Sequence, residues 1–85
     1  MSLNLLTRHE VKEKRKALKM NQTELSAMIG CHFKSLSMFE LGLLKSLRIR
    51  YLATRILLAL ESGESIDSAA LRAEYVKEDQ DENHN

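Results

Sequence analysis

The sequence contains no proline and no tryptophan, and it has only three glycines and one cysteine. Proline and glycine are the residues that most often interrupt a helix, so their scarcity, together with many helix-start signals, favours an all-α fold. Cys31 has no second cysteine for an internal disulfide, which is typical of proteins in a reducing cytoplasm. We therefore expect an all-α, cytoplasmic protein.

Long apolar runs are also missing. The longest is Ile56–Leu60, whereas a membrane-spanning helix needs about 20 apolar residues. Residues 1–6 lack the basic start and the apolar stretch of a secretory signal. With 44% hydrophobic and 29% charged residues, the 85-residue chain has the composition of one small globular domain, and we expect no membrane partner.

The net charge of +1 conceals an uneven distribution along the chain. Residues 1–63 carry eleven Lys/Arg and five Asp/Glu, a net charge of +6, whereas residues 64–85 carry two and seven, a net charge of −5. A basic body favours an anionic partner, although a solvated helical surface followed by a charged tail explains the charge alone equally well. We expect a single domain over residues 1–77, followed by an acidic, disordered tail over residues 78–85.

Helix-start signals divide the chain into about five helices. Thr7 with Glu10, and Asn21 with Glu24, have the spacing of capping boxes and should start the first two helices. His32, ahead of the third helix, is a weak N-cap residue. The predicted helices end near Lys19 for the first, then run from Gln22 to Ile29, from Phe33 to Leu41 and from Leu47 to Ser62, and a fifth is capped by Ser65 or Asp67.

Apolar residues recur at helical spacing on both sides of Gly30. Because glycine tolerates positive φ, Gly30 can end the second helix and let the third leave at a steep angle. Two short crossed helices cannot bury all their apolar side chains against each other, so a further helix must cover the rest. The expected core residues are Leu25, Met28, Ile29, Leu36 and Phe39, a broad face of helix 4 made by Leu47, Tyr51, Leu52, Ala53, Ile56, Leu57, Leu58, Ala59 and Leu60, and a weaker stripe of helix 5 made by Ala69, Ala70, Ala73 and Val76.

The stretch from Gln22 to Gly42 resembles the helix-turn-helix of phage repressors of the Cro and lambdoid-repressor type. In that family a Gln begins helix 2, a small residue allows close helix contact, a Gly lies in the turn, and an aromatic-Glu-x-Gly run closes helix 3. The resemblance covers Val11 to Gly42 and implies a lambda-repressor-like DNA-binding domain in which Arg15 and Glu40 tie helix 1 to the end of helix 3. The residues that carry it are Gln22, Leu25, Ser26, Gly30, Cys31, Leu36, Phe39, Glu40 and Gly42.

The resemblance implies that the front of helix 3 enters the DNA major groove. Carried over position by position, Phe33, Lys34 and Met38 are the main base-contacting candidates, and Ser37 is a further one. Lys34 could donate to guanine O6 and N7, whereas Phe33 or Met38 could pack on a thymine methyl group. The structural alternatives are a buried aromatic for Phe33 and a solvated lysine for Lys34.

Candidates for contacts with DNA phosphates are polar residues at helix starts and basic residues after helix 3. A solvated side chain is the alternative for each basic residue. The candidates are Asn21, Gln22, His32, Ser35, Lys45, Arg48 and Arg50.

One stretch departs from the family pattern. After the Glu-x-Gly run the family commonly has basic residues and often a proline, whereas this chain has Leu41, Leu43 and Leu44 around Gly42. Exposed leucines there would form an adhesive surface, so we expect them to cover the core or to contact a second subunit.

Other site chemistry is sparse. His9, Cys31, His32 and His84 lack the spacing of a zinc site, and no glycine-rich phosphate loop or nucleophile elbow is present. We therefore expect no metal, no cofactor, no small-molecule ligand and no enzymatic activity.

The leading hypothesis is a sequence-specific DNA-binding transcriptional regulator, a repressor that binds an inverted repeat in double-stranded DNA as a homodimer. The dimer contact would come from helix 5 and the end of helix 4, with Leu41 to Leu44 as a further possibility. The rival hypothesis is a protein-interaction module, such as an antitoxin-like component of a protein complex, which the leucine-rich loop and the apolar helix 4 favour. The sequence does not identify the operator or the regulated genes.

Overall fold

The computed structural model describes the backbone of residues 4–82 and the side chains of residues 4–75. Within this range the chain forms five α-helices and no strand, which confirms the all-α prediction. The helices are α1 (Arg8–Ala17), α2 (Gln22–Ile29), α3 (Phe33–Glu40), α4 (Leu47–Glu61) and α5 (Ser68–Glu82).

Reciprocal capping boxes start the first two helices, as predicted. The backbone N–H of Glu10 donates to the Thr7 hydroxyl at 3.1 Å, and the Glu10 carboxylate accepts from the Thr7 N–H at 2.9 Å. Asn21 and Glu24 make the same pair of bonds at 2.7 and 2.9 Å. Each box satisfies two backbone donors that have no partner within the helix, so both starts are defined by local sequence. The first helix ends at Ala17, two residues before its predicted end.

The core lies between α1, α2, α3 and α4, and α5 closes it against α2 and α4. On α4 the predicted face is wrong at its start, because Leu47 is 55% exposed whereas Ile49 is buried. Successive residues rotate by about 100° around a helix, so positions 47 and 49 point in nearly opposite directions. The buried hydrophobic residues are Leu6, Val11, Leu25, Ile29, Leu36, Phe39, Ile49, Leu52, Ala53, Ile56, Leu57, Leu71 and Tyr75.

The fifth helix packs through a different stripe from the one predicted. Leu71 and Tyr75 are buried, with the Tyr75 ring 5.3 Å from the Tyr51 ring, whereas Ala69, Ala70 and Ala73 are exposed. Large side chains one helical turn apart remove more apolar surface from water than alanines do, and they determine which side of the helix faces inward. The side chain of Val76, the fourth residue of the predicted stripe, lies outside the described side chains.

The end of the chain is helical further than we predicted. Asp67 rather than Ser65 caps α5, since its carboxylate accepts from the Ala70 N–H at 3.1 Å. The backbone then remains helical to Glu82, so the predicted boundary at residue 77 falls inside a helix. Polar residues such as Glu, Gln and Lys are good helix formers, so an acidic composition does not by itself end a helix. Residues 83–85 of the predicted tail, and residues 1–3 of the stretch in which we expect no secretory signal, lie outside the described residues.

The segment before α1 is held on α4 by contacts that local sequence does not reveal. The N–H of the buried Leu6 donates to the Thr54 hydroxyl at 3.0 Å, and Thr54 in turn donates to the Arg50 carbonyl at 2.7 Å. The Arg50 guanidinium donates to the Leu6 carbonyl at 2.7 Å and to the Leu5 carbonyl at 3.3 Å. These bonds pair polar groups next to the core and fix the position of this segment on α4.

Candidate nucleic-acid interface

The turn between α2 and α3 requires a glycine for two reasons. Gly30 has φ +84°, a left-handed conformation that side chains disfavour, and its N–H donates to the Ser26 carbonyl at 2.8 Å. A Cβ at this position would also lie 2.5 Å from the Arg72 Cδ atom. The Arg72 guanidinium donates to the Met28 carbonyl at 2.8 Å, so it binds the negative end of the α2 dipole. Arg72 of α5 thus holds the end of α2 next to the turn.

The inner side of α3 is fixed by a buried ion pair, in the geometry that the resemblance implied. Arg15 Nε and Nη2 donate to the two carboxylate oxygens of Glu40 at 2.8 and 2.9 Å, and both side chains are at least nine-tenths buried. Arg15 also donates to the Met20 carbonyl at 2.8 Å, and the Gln22 amide donates to Glu40 at 2.9 Å. The network connects α1, the start of α2 and the end of α3, so it determines how α3 is presented.

A second tie joins α1 to the end of α3. The Arg8 guanidinium donates to the Glu40 carbonyl at 3.2 Å, next to Gly42 with φ +82°. A Cβ at Gly42 would lie 2.9 Å from the Arg8 guanidinium carbon. Sequence reasoning missed Arg8 and also Arg72, because neither arginine has a local signal that identifies its partner.

The outer side of α3 carries the four residues predicted to contact bases. Phe33 and Met38 are 46% and 42% exposed, Lys34 is exposed, and Ser37 is half-buried. Positions 33 and 37, and positions 34 and 38, are each one helical turn apart, so the four side chains form one stripe. The stripe faces solvent while Leu36 on the same helix is completely buried. The Phe33 side chain is therefore on the surface rather than in the core.

His32 caps α3, although we predicted a weak cap. Its Nδ1 atom accepts from the Lys34 N–H at 3.1 Å, and its ring stacks on the Phe33 ring with centroids 4.7 Å apart. An unprotonated imidazole nitrogen can accept the helix N–H as an Asn side chain would, and the adjacent ring holds it in place. The cap leaves Nε2 as the His32 atom available to a phosphate.

Three other predicted phosphate contacts have side chains that are engaged inside the protein. The Gln22 amide bonds to Glu40, as described above, and Arg50 holds the segment before α1. Arg48 Nη2 donates to the Ile29 carbonyl at 3.4 Å, close to Gly30. The amide nitrogen of Gln22, Nε and Nη2 of Arg50, and Nη2 of Arg48 thus donate within the protein, and contact of these side chains with phosphates stays a prediction.

The remaining candidates lie nearer to solvent. Asn21 is exposed, but its side-chain oxygen accepts from the Glu24 N–H as the cap of α2. Ser35 is half-buried near the start of α3, and Lys45 is exposed in the connection between α3 and α4. Lys45 thus has the freest cationic group among the three basic residues predicted to contact phosphate.

The connection between α3 and α4 presents leucines to solvent. Leu41, Leu43 and Leu47, which we call the exposed leucines, are 62%, 71% and 55% exposed. Leu44 is half-buried and packs against the core. Of the two expected roles, Leu44 covers the core, whereas Leu41 and Leu43 do not, and contact with a second subunit stays a prediction for them. A groove of about 490 Å³ runs beside it and is lined by Arg8, Lys45, Arg50, Leu44 and Leu47 among others.

The described residues do not bring metal-ligating side chains together. No group of three or more His, Cys, Asp and Glu side chains suited to a metal ion occurs among them, and His84 lies outside the described part. Burial raises the pKa of the half-buried Cys31 thiol, and the nearby Arg48 charge only partly opposes this. The thiol therefore stays protonated near neutral pH, which is a poor state for a ligand or a nucleophile.

Comparison with known protein families decides how this arrangement is to be understood. A family model for the Cro/C1-type helix-turn-helix matches residues 11–54, just over half of the chain. The chain belongs to the Cro/C1-type helix-turn-helix family. Comparisons with curated proteins and with solved structures gave no match.

The helix-turn-helix is formed by α2, the Gly30 turn and α3, and the match extends through the first half of α4. Family membership makes this helix-turn-helix protein a DNA-binding transcriptional regulator with double-stranded DNA as its partner. Within residues 4–82, no helix is both long enough and apolar enough to span a bilayer.

Proposed function

We propose that this helix-turn-helix protein is a sequence-specific repressor that binds an inverted repeat as a homodimer, with α3 of each subunit in the major groove. The observation that carries the proposal is the division of α3. Its stripe of Phe33, Lys34, Ser37 and Met38 faces solvent, while Leu36 and the other residues of the inner side are held by the core and the buried ion pair. A helix anchored on one side and unoccupied on the other can enter a groove without rearrangement.

The chemistry of the stripe suits direct readout of bases. Lys34 can donate to O6 and N7 of guanine, and Ser37 can donate or accept with either kind of base pair. Phe33 and Met38 offer apolar surface to the methyl group of thymine. Each good contact is worth about 1–3 kcal/mol of discrimination against a wrong base.

Contacts with phosphates would place α3 in the correct register. The backbone N–H of Gln22 lies in the first turn of α2, where the helix dipole is positive and the N–H groups have no partner within the helix. Asn21 and Ser35 offer further polar donors, and Nε2 of His32 and the Lys45 ammonium can reach the flanking backbone. These contacts hold the protein on any sequence and carry no base preference.

The proposed dimer follows from how little one helix can read. A single α3 contacts only a few base pairs, so related modules bind two half-sites about 34–36 Å apart with twofold symmetry. The resemblance to phage repressors supports repression, in which the bound dimer occupies a promoter. The proposal includes a cytoplasmic location and a role in binding rather than in catalysis.

Selection of bound sequences from a random DNA pool tests the proposal. The purified protein should enrich an inverted repeat, and Lys34→Ala should relax the preference at one position of each half-site by about 1–3 kcal/mol. Lys16→Ala, which removes an exposed lysine of α1, is the matched control and should keep the wild-type preference. Recovery of unrelated sequences, or an unchanged preference in Lys34→Ala, would contradict readout by α3.

The exposed leucines favour one rival, a protein-interaction module of the antitoxin-like kind in which DNA binding is secondary. A salt titration separates the two functions. The logarithm of DNA affinity should fall with the logarithm of salt concentration, with a slope of about −0.9 for each phosphate neutralised. An apolar contact with another protein would be nearly insensitive to salt in the same range.

A further inference from the structure

The large apolar side chains exposed on the described part of this protein are concentrated in one stretch. All five lie between positions 33 and 47: Phe33 and Met38 on the outer side of α3, and the exposed leucines Leu41, Leu43 and Leu47 after it. The proposed function gives Phe33 and Met38 a role on DNA. It gives none to the exposed leucines, although their exposure to water is unfavourable.

The connection that carries Leu41 and Leu43 is held in place by backbone hydrogen bonds. The N–H groups of Leu43 and Leu44 both donate to the Met38 carbonyl, at 2.8 and 3.2 Å, and the Leu41 N–H donates to the Ser37 carbonyl at 3.0 Å. Leu44 packs against the core beneath them. The exposure of Leu41 and Leu43 is thus a consequence of the local fold rather than of a loose loop.

We propose that the exposed leucines form the contact between two copies of this protein bound side by side on DNA, and that this contact is too small to hold the dimer together without DNA. The inference rests on the proposed function, because it takes the second copy to occupy the other half-site. It adds two points to the proposed function: the copies make contact through the exposed leucines, and they associate when bound to DNA.

The size of the molecule supports a contact between neighbouring copies. The protein measures 39 × 30 × 24 Å. Recognition helices in adjacent turns of the same major groove lie about 34–36 Å apart, which is less than the longest dimension of 39 Å, so two copies whose long dimension follows the DNA come into contact. Of the surfaces that adjoin α3, the one formed by the connection after it is apolar. At the start of α2 the corresponding surface carries Asn21, Thr23 and Glu24, which are polar and exposed.

The alternative dimer surface on α5 lacks large apolar side chains. Leu71 and Tyr75 are already buried in the subunit's own core, and the exposed positions up to Tyr75 include only Ala69, Ala70 and Ala73 as apolar residues. Alanines offer little area to remove from water. This favours the exposed leucines, since Leu41 to Leu44 were the further possibility in the sequence, over α5, which we had expected to form the contact together with the end of helix 4.

Two properties make the contact dependent on DNA. Stable interfaces bury about 1,200–2,000 Å² with roughly 20–30 residues on each side, which three leucines and their neighbours do not supply. Arg8 and Lys45 also line the adjoining groove, so two free copies would bring like charges together. Phosphates between the half-sites would neutralise this repulsion, and binding to one DNA molecule raises the effective concentration of the second copy.

The experiment combines sedimentation of the free protein with binding to three DNA duplexes: the selected inverted repeat, a single half-site, and the repeat with about 5 added base pairs between its halves. The insertion turns the half-sites to opposite faces of the helix, since one turn is about 10–10.5 base pairs. We expect a monomer in solution and a second copy that binds the inverted repeat about tenfold more tightly than a half-site. The insertion should abolish that gain.

Leu43→Ser should also abolish the cooperative gain while leaving half-site affinity within about twofold of wild type. Because this side chain is 71% exposed, the thermal midpoint should not change, which shows that the fold is intact. Ala73→Ser, at an exposed position of α5, is the matched control and should retain cooperativity.

Several results would overturn the inference. These are persistence of the gain in a Leu41→Ser/Leu43→Ser double variant, a free dimer that the leucine substitutions do not disturb, and loss of cooperativity in Ala73→Glu but not in Leu43→Ser. Half-site binding by wild type without any gain on the inverted repeat would reject the self-contact and leave readout by α3 standing. Failure of wild type to bind any selected duplex would instead reject the proposed function.

Discussion

The two sides of α3 differ in nearly every physical respect, although they belong to one eight-residue helix. On the inner side, Leu36 has no exposed surface and Glu40 has its carboxylate in a bidentate ion pair with Arg15. On the outer side, Phe33 and Lys34 face water. The inner residues define the family and the outer residues would define the operator. Family membership can therefore be recognised without any knowledge of the bound sequence.

The largest effect should come from breaking the inner side at Glu40. Glu40→Ala leaves the buried Arg15 guanidinium without its carboxylate partner, so the free energy of unfolding should fall by about 3–5 kcal/mol. Denaturant unfolding followed by circular dichroism measures this. Glu61→Ala is the matched control, because Glu61 pairs with Lys14 at 2.7 Å on the surface and its loss should cost less than about 1 kcal/mol. Equal losses in the two variants would contradict a special role for the buried pair.

The next effect should come from the turn that sets the direction of α3. Gly30→Ala introduces a side chain at φ +84° and displaces Arg72 from the end of α2, so we expect a loss of about 3 kcal/mol. Gly63→Ala has a similar φ of +77° with no atom within 4 Å of the added Cβ, and should cost about 1–2 kcal/mol. The difference between the two unfolding free energies isolates the Arg72 contact. The loss caused by Gly30→Ala should be smaller when it is measured in an Arg72→Ala background, as the difference between the double variant and Arg72→Ala alone. An equal loss in both backgrounds would argue against this explanation.

A smaller effect is expected at the start of α3, where the two sides meet. His32→Ala removes the cap of the helix and should lower the free energy of unfolding by about 1 kcal/mol, whereas His32→Asn should preserve most of it. Thermal unfolding at constant pH measures both variants. His9→Ala, at an exposed position of α1, serves as the control and should have little effect. A stable His32→Ala variant would mean that the imidazole does not act as a cap.

The smallest effect concerns the cap of α1, which lies away from the outer side of α3. The backbone N–H of Thr7 lowers the pKa of the Glu10 carboxyl below its ordinary value. A carboxyl whose pKa is lowered by folding contributes stability near neutral pH, and this contribution is lost as the pH falls through the lowered pKa. The thermal midpoint of Glu10→Ala should therefore lie below that of wild type at pH 7 and converge with it in acid. A constant difference across this range would contradict the assignment.

How far the sequence predicts this molecule depends on the distance over which each feature is determined. The bounds of α2 follow from Asn21, Glu24 and Gly30, which lie within or beside the helix, and the structure has the same bounds. Which side of α4 is buried, and which side of α5, depends on which of several apolar residues the rest of the core can accept. Local periodicity ranks these residues poorly because both faces contain leucine or alanine.

The candidate site also combines features that nearby residues determine with features that distant residues determine. Exposure of Phe33, Lys34 and Met38 could be predicted, because the spacing of Leu36 and Phe39 leaves the opposite side of α3 outward. The partner of Arg50 could not be predicted, since the carbonyls that it binds lie more than 40 residues away in the chain. From the sequence alone, a long cationic side chain is easily predicted to contact phosphate, because the sequence does not show which carbonyls of the protein lie within its reach.

The core extends beyond the matched region at both of its ends. The family match begins at residue 11 and stops at residue 54, yet Leu6, Ile56, Leu57, Leu71 and Tyr75 are all buried. A fragment trimmed to the matched residues would lose these five side chains from the core, and it would lose the arginine that closes the end of α2. We expect that fragment to remain unfolded, so the shortest autonomous folding unit must reach from Leu6 to at least Tyr75.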